Sequence, residues 1–278
     1  MTSTPRGRVT IVDRGSGTPL VFVPPLQGRW EYMSGTVDAL SKYMRVITFS
    51  LCGERGSGLR YDRARGLGNY VDQTIRALDH RRIDRAVVCG VSFGGVVALH
   101  VAAGHADRVS ALVLASTPGP GFQLRPRHLM YARVPWLFGP VFLAEIPRRF
   151  RPEFAAAVPD ARMRRLFALR QLGTFLRAPV SLRRMAERAK LISALDSGAL
   201  CRRISVPTLV VTGEPALDFV VPVEGSSDYA RLIAGARGVV LERTGHHGTI
   251  TRPEAFAALV DDFVSRLTDR GQEGRAAS

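Results

Sequence analysis

Short apolar runs recur along the chain at Leu20–Val23, Val46–Phe49, Ala86–Cys89, Val109–Leu114, Thr208–Val211 and Val239–Leu241. Most are rich in valine and isoleucine and lack polar alternation, which is how strands covered on both faces read. Between them, helical patterns occupy Asn69–Leu78, Phe93–Ala103, Val223–Ile233 and Pro253–Leu267. Pro253 suits the first position of a helix. Strand–helix alternation predicts an α/β fold: a mostly parallel sheet flanked by helices. The polar tail after Thr268 is expected to fray.

The alternation breaks between Pro118 and Arg203, where no strand pattern occurs. Leu182, Met185, Ala189, Ile192 and Leu195 recur at three- and four-residue steps, the signature of a helix face. Met163, Leu166, Phe167 and Arg170 hint at another helix, and Pro135, Pro140, Pro147, Pro159 and Pro179 are expected to separate such segments. A helical insertion at 118–203 is therefore expected after the sixth strand, within a core made of 1–117 and 204–278. Ala86–Ala106 carries no charge other than histidine and is long enough to raise a membrane span. The Val87-Val88 run and the turn residues Gly90, Gly94 and Gly95 favour a buried strand followed by a buried helix instead.

Composition narrows the class. The 278 residues are 46% hydrophobic, enough for a large core and too apolar for disorder. Three cysteines exclude a disulfide-stapled scaffold and fit a reducing cytoplasm, and Met1–Thr10 lacks the apolar region of a secretory signal. The formal net charge is +15, and all basic residues except Lys42 and Lys190 are arginine. An arginine preference this uniform is explained most simply by coding composition. Its distribution carries more information: residues 118–203 hold 17 basic and 5 acidic residues, most of the excess. No RNA-recognition motif, zinc-finger spacing or Walker loop accompanies this charge, so nucleic acid is not an expected partner.

Gly90-Val91-Ser92-Phe93-Gly94 sits between an expected strand and an expected helix. This is the G-x-S-x-G pattern in the context it requires, a tight turn presenting a serine above the carboxyl edge of the sheet. A serine hydroxyl is a weak nucleophile and needs a base, itself oriented by an acid. Of six histidines, His80, His100 and His105 read as structural or solvated, and His128 lies in the insertion. His246 and His247 follow the last apolar run, where a base can reach over the sheet edge.

With these residues the chain resembles the α/β-hydrolase fold family over roughly 8–268, in its serine-nucleophile, lid-bearing form. The resemblance implies the order Ser, acid, His. Gly245-His246, followed seven residues later by Pro253, matches the family's histidine pattern, with His247 the neighbouring alternative. Counting back four from Pro222 gives Asp218 as the acid, in a loop two residues longer than usual, with Glu214 as runner-up. The other acid position known in the fold, after Val109–Leu114, holds only Ser116 and Thr117. The oxyanion donors are implied to be the amides of Phe93 and Leu26, although Pro24-Pro25 replaces the family's His-Gly. Gln27 and Trp30 are candidate pocket residues, and Trp30 equally suits simple packing. Ser50-Leu51-Cys52-Gly53-Glu54-Arg55 replaces the usual Asp-x-Arg-Gly, which alters the family's ion pair. Cys52 is expected to be a buried, inert thiol.

The resemblance implies a cytoplasmic serine hydrolase of small carboxylic esters acting through an acyl-enzyme, with no metal or organic cofactor. Carbon–carbon bond hydrolysis, lyase chemistry or cofactor-free peroxidation by the same triad are the alternatives within the fold. A ligand-binding protein with a retained pocket is the alternative outside catalysis. The arginines Arg125, Arg127, Arg148, Arg149, Arg151, Arg162, Arg164 and Arg165 fall in the implied lid. They point to an anionic substrate or, as a secondary reading, an anionic membrane surface.

Overall fold

The computed structural model describes residues 7–195 and 197–276, with side chains described as far as residue 269. The absence of an apolar region in Met1–Thr10 was read partly on residues outside that range. Seven strands form one sheet: β1 (Val12–Arg14), β2 (Pro19–Val23), β3 (Arg45–Thr48), β4 (Ala86–Val91), β5 (Val109–Ala115), β6 (Thr208–Thr212) and β7 (Arg237–Val240). Their spatial order is β1-β3-β2-β4-β5-β6-β7. Every pairing is parallel except β1 with β3. β1 escaped the apolar pattern because it is a three-residue, half-exposed edge strand.

Three helices connect the first strands: α1 (Ser34–Leu40), α2 (Gly68–His80) and α3 (Phe93–Gly104). Five follow β5: α4 (Pro126–Arg133), α5 (Pro135–Ala157), α6 (Ala161–Arg177), α7 (Leu182–Ser193) and α8 (Gly198–Cys201). The remainder are α9 (Val223–Leu232), α10 (Gly248–Thr251) and α11 (Pro253–Ala276). Among the described residues no helix is long and apolar enough to cross a membrane.

The strands fill two cores at once. Val21, Val23 and Val88 join Leu78, Val97, Leu99 and Tyr229 on one face of the sheet. Leu20, Phe22, Val87 and Cys89 join Val37, Leu40, Phe256 and Val260 on the other. Successive side chains of a strand point to opposite faces, so a strand covered on both sides must be apolar at every position. This explains the unbroken apolar runs.

The helical insertion departs from expectation in position. It follows the fifth strand in chain order, not the sixth. Only four of the recognised apolar runs precede it, and the short edge strand β1 brings the number to five. Pro140 and Pro147 also do not end helices. With Pro152 they lie inside the 23-residue α5, which packs against α4 and α7. That packing holds the helix through the hydrogen bonds the prolines cannot make. Pro159 and Pro179 do separate helices. At the C-terminus, α11 continues to Ala276 beyond Thr268.

Arg188 of α7 fixes this segment to the core. Its side chain is fully buried, and Nη2 donates to Glu54 Oε1 at 2.7 Å. Nη1 donates to the Leu26 carbonyl oxygen at 2.9 Å and Nε to the Tyr70 hydroxyl at 3.3 Å. The altered 50–55 segment thus supplies a carboxylate to an arginine 134 residues away. Removing one member of a buried pair leaves an uncompensated charge in a dry site. Arg188→Met is expected to lose about 3–5 kcal/mol of unfolding free energy. The double variant with Glu54→Leu is expected to recover most of it, both measured by urea denaturation.

Candidate active site

Ser92 links β4 to α3 in a conformation rare for a residue with a side chain, φ 54° and ψ −118°. The surrounding ladder holds it there: Ser92 N–H donates to the Ala115 carbonyl at 2.8 Å, and Gly95 N–H donates to the Ser92 carbonyl at 2.9 Å. Such strain persists where neighbouring structure over-determines it. Gly94 is required by close approach, since a Cβ there would lie 2.1 Å from the Val23 carbonyl oxygen. The turn therefore packs directly on the end of β2, where the 24–28 loop begins.

His246 reaches the serine from the loop after β7, with Nε2 3.0 Å from Ser92 Oγ. Both side chains are buried. Asp218 Oδ2 lies 3.4 Å from His246 Nδ1, longer than a well-formed hydrogen bond, and among the described residues Nδ1 has no other hydrogen-bond partner. Asp218 Oδ1 accepts the Val220 and Val221 amides, each at 2.9 Å. Burial raises the Asp218 carboxyl, but the adjacent His246 and the two amides outweigh it and hold the group below its ordinary value.

The loop that carries Asp218 has a simple form. Leu217 and Asp218 both donate backbone N–H groups to the Glu214 carbonyl, so Glu214–Asp218 closes as one helical turn. Gly245 lets the histidine loop lie on this turn; a Cβ there would lie 2.1 Å from the Leu217 carbonyl oxygen. Glu214 points elsewhere, accepting the Arg243 backbone N–H at 2.6 Å. It braces the histidine loop and leaves the position beside His246 to Asp218. His247 is likewise turned to Glu153 of α5, not to Ser92.

The Pro25–Gly28 loop closes by a Gly28 N–H to Pro25 carbonyl bond of 2.8 Å, and Arg188 takes the Leu26 carbonyl. Gln27 Oε1 is buried with no hydrogen-bond partner among the described residues. Trp30 carries the Arg14 guanidinium over its ring at 5.3 Å, an arrangement that accounts for it by packing. Cys52 is buried with its thiol against the Arg60 carbonyl, and burial pushes it up to about 11. A cleft of about 280 Å³ lies between Gly119–His128 and the acid loop, lined by Phe122, Gln123, Arg125, His128, Val220 and Pro222.

Sequence reasoning missed Arg188, Glu54 and Glu153. The signals were faint. Glu54 stands in a segment that departs from the family pattern, and Glu153 is the acid set among Phe150, Phe154 and Ala155–Ala157.

The family model described as "Alpha/beta hydrolase family" matches residues 20–259. The chain is 29% identical over 268 residues to 2-hydroxymuconate semialdehyde hydrolase of Pseudomonas sp. (strain CF600), covering 93% of this chain and 90% of that protein. It is 31% identical over 245 residues to pimeloyl-[acyl-carrier protein] methyl ester esterase of Aromatoleum aromaticum (strain DSM 19018 / LMG 30748 / EbN1), covering 82% and 92%. The enol-lactonase from Burkholderia xenovorans LB400 shares the fold with a TM-score of 0.76 at 24% identity, over 92% of this chain and 96% of that one. The chain belongs to the alpha/beta hydrolase family of enzymes.

The Asp218 geometry sets a pH dependence. Its folded-state value is lowered, so its contribution to stability is complete above the unfolded value near about pH 4 and is lost as pH falls through the folded value. The melting-temperature gap between the wild type and Asp218→Asn is expected to shrink on going from pH 7 to pH 3, followed by thermal melts.

Proposed function

We propose that the protein is a serine hydrolase cleaving a small carboxylic ester through an acyl-enzyme. The observation that carries this reading is the 3.0 Å contact of His246 Nε2 with Ser92 Oγ at a strained strand–helix turn. Ser92 Oγ attacks the ester carbonyl carbon while His246 Nε2 takes its proton, and Asp218 stabilises the resulting imidazolium. The Phe93 and Leu26 amides stabilise the tetrahedral oxyanion. Arg188, bonded to the Leu26 carbonyl, holds the second donor's loop in place of the family's His-Gly. His246 then protonates the departing alkoxide, leaving the acyl group on Ser92. Water attacks the acyl carbon as His246 accepts its proton, and the proton returns to Ser92 as the acid leaves.

Residues 118–203 form a lid on a core of 1–117 and 204–278. Tyr32 supports this, its hydroxyl donating to the Ala178 carbonyl at 3.1 Å where the segment folds back over the loop after β2. Gln27 Oε1 is the pocket acceptor for a substrate N–H or O–H, since a buried acceptor without a partner is costly until one arrives. The buried thiols of Cys52 and Cys89 suit a cytoplasmic enzyme. The lid arginines favour an anionic ester. Arg127 and Arg149 are spent on Glu145, and Arg164 on the Val158 and Pro159 carbonyls between α5 and α6, while Arg162 and Arg165 stay exposed.

Ser92→Ala is expected to lower kcat by on the order of 10⁴–10⁶-fold. A fluorophosphonate is expected to label the wild type and not the variant. An unlabelled wild type with equal activity in the variant would overturn the reading. The relatives' names divide between an ester and a semialdehyde substrate. Turnover of p-nitrophenyl esters against β-diketones therefore tests ester cleavage against carbon–carbon cleavage by the same residues. For an acidic ester, kcat/KM is expected to fall steeply with added salt while a neutral ester is unaffected. Equal salt sensitivity would return the arginine excess to composition.

A further inference from the structure

The helical segment meets the site at a second buried point, one that acyl transfer itself does not use. Glu153 of α5 is fully buried. Its Oε1 accepts the His247 backbone N–H at 2.7 Å, and Oε2 lies 3.3 Å from His247 Nδ1. Nearly one turn earlier, Phe150 lies against the His247 ring, with centroids 3.8 Å apart. His247 directly follows His246, and the two rings are 5.3 Å apart.

A buried carboxylate is costly unless its oxygens are satisfied. Here they are spent on the residue beside His246. The His247 N–H belongs to the peptide plane that begins at the His246 carbonyl, so anchoring it fixes the backbone from which the His246 side chain projects. The ring needs that constraint, because its contact with Asp218 is long at 3.4 Å. Burial lowers His247 below its ordinary value, and the hydrogen bond to Glu153 opposes that shift.

We propose that Glu153 is a positioning residue for His246, resting on the reading of Ser92 and His246 as nucleophile and base. It sits on the same helical segment that supplies Arg188, so seating α5 on the core and aligning the base are one event. Withdrawal of α5 would release the His247 amide and let the imidazole drift from Ser92.

The test compares Glu153→Gln and Glu153→Leu with the wild type. Gln keeps the volume and an acceptor for the amide; Leu removes the acceptor. The readouts are kcat and KM on a p-nitrophenyl ester, Ser92 labelling by a small fluorophosphonate per folded molecule, and melting temperature. Labelling and kcat are expected to fall about tenfold in Gln and about a hundredfold in Leu, with KM unchanged, the size expected for a misplaced catalytic group. A merely structural role would lower melting temperature and leave the labelling rate of folded molecules intact; that result overturns the proposal alone. A wild type that never labels overturns the underlying Ser92 reading and this proposal with it. Amide hydrogen exchange of the wild type gives a measure that no variant's folding can obscure. The His247 N–H is expected to be strongly protected, and exchange at the rate of an open loop would overturn the proposal.

Discussion

The site depends on how closely four backbone segments approach one another, in two pairs, at the carboxyl edge of the sheet. The turn carrying Ser92 presses on the end of β2 through Gly94, and the histidine loop presses on the acid turn through Gly245. Neither approach leaves room for a Cβ. Ser92 pays in backbone strain for a hydroxyl that stands clear of its own helix, and the ladder bonds to Ala115 and Gly95 keep that strain from relaxing. The 3.0 Å contact with His246 follows from this crowding, since the loops have little freedom to separate.

Electrostatics around this frame are supplied from far along the chain. Two fully buried charges of the helical segment reach the core, Arg188 from α7 and Glu153 from α5. Each ends on main-chain groups of the site, Arg188 on the Leu26 carbonyl and Glu153 on the His247 amide. Cation on carbonyl and anion on amide are the favourable pairings, and charge-assisted bonds of this kind are stronger than neutral ones. The segment thus acts on the loops flanking Ser92. Its outer surface differs: α6 has no buried residue, and Leu166, Leu169, Leu172 and Leu176 are each more than half exposed.

The large net charge takes on a different meaning when each arginine is placed. Some serve structure: Arg188 as a bolt, Arg164 on the Val158 and Pro159 carbonyls between α5 and α6, Arg127 and Arg149 around Glu145. Arg14 covers Trp30, and Arg108 holds Asp79 and two backbone carbonyls beside β5. What remains is the exposed set on the helical segment. The excess is therefore partly internal architecture, a use open to arginine because its guanidinium offers several donors in a fixed plane.

The sequence by itself determined the sheet and the local chemistry. Strands buried on both faces must be apolar at every position, so β2 to β6 were legible as runs. The G-x-S-x-G turn was legible because its glycines answer to sterics within a few residues. Counting from Pro222 and Pro253 by the family pattern singled out Asp218 and His246, and the structure brings both side chains to Ser92's end of the sheet. Tertiary structure alone decided which charged residues of the helical segment turn inward. Glu54 and Arg188 are separated by 134 residues, Glu153 and His247 by 94. No periodicity links such pairs; burial and mutual approach choose them. The same is true of Pro140 and Pro147, which local rules place at helix ends and packing against α4 and α7 retains within α5. β1 was illegible for a related reason, since it owes its existence to pairing with β3 and not to any apolar run of its own.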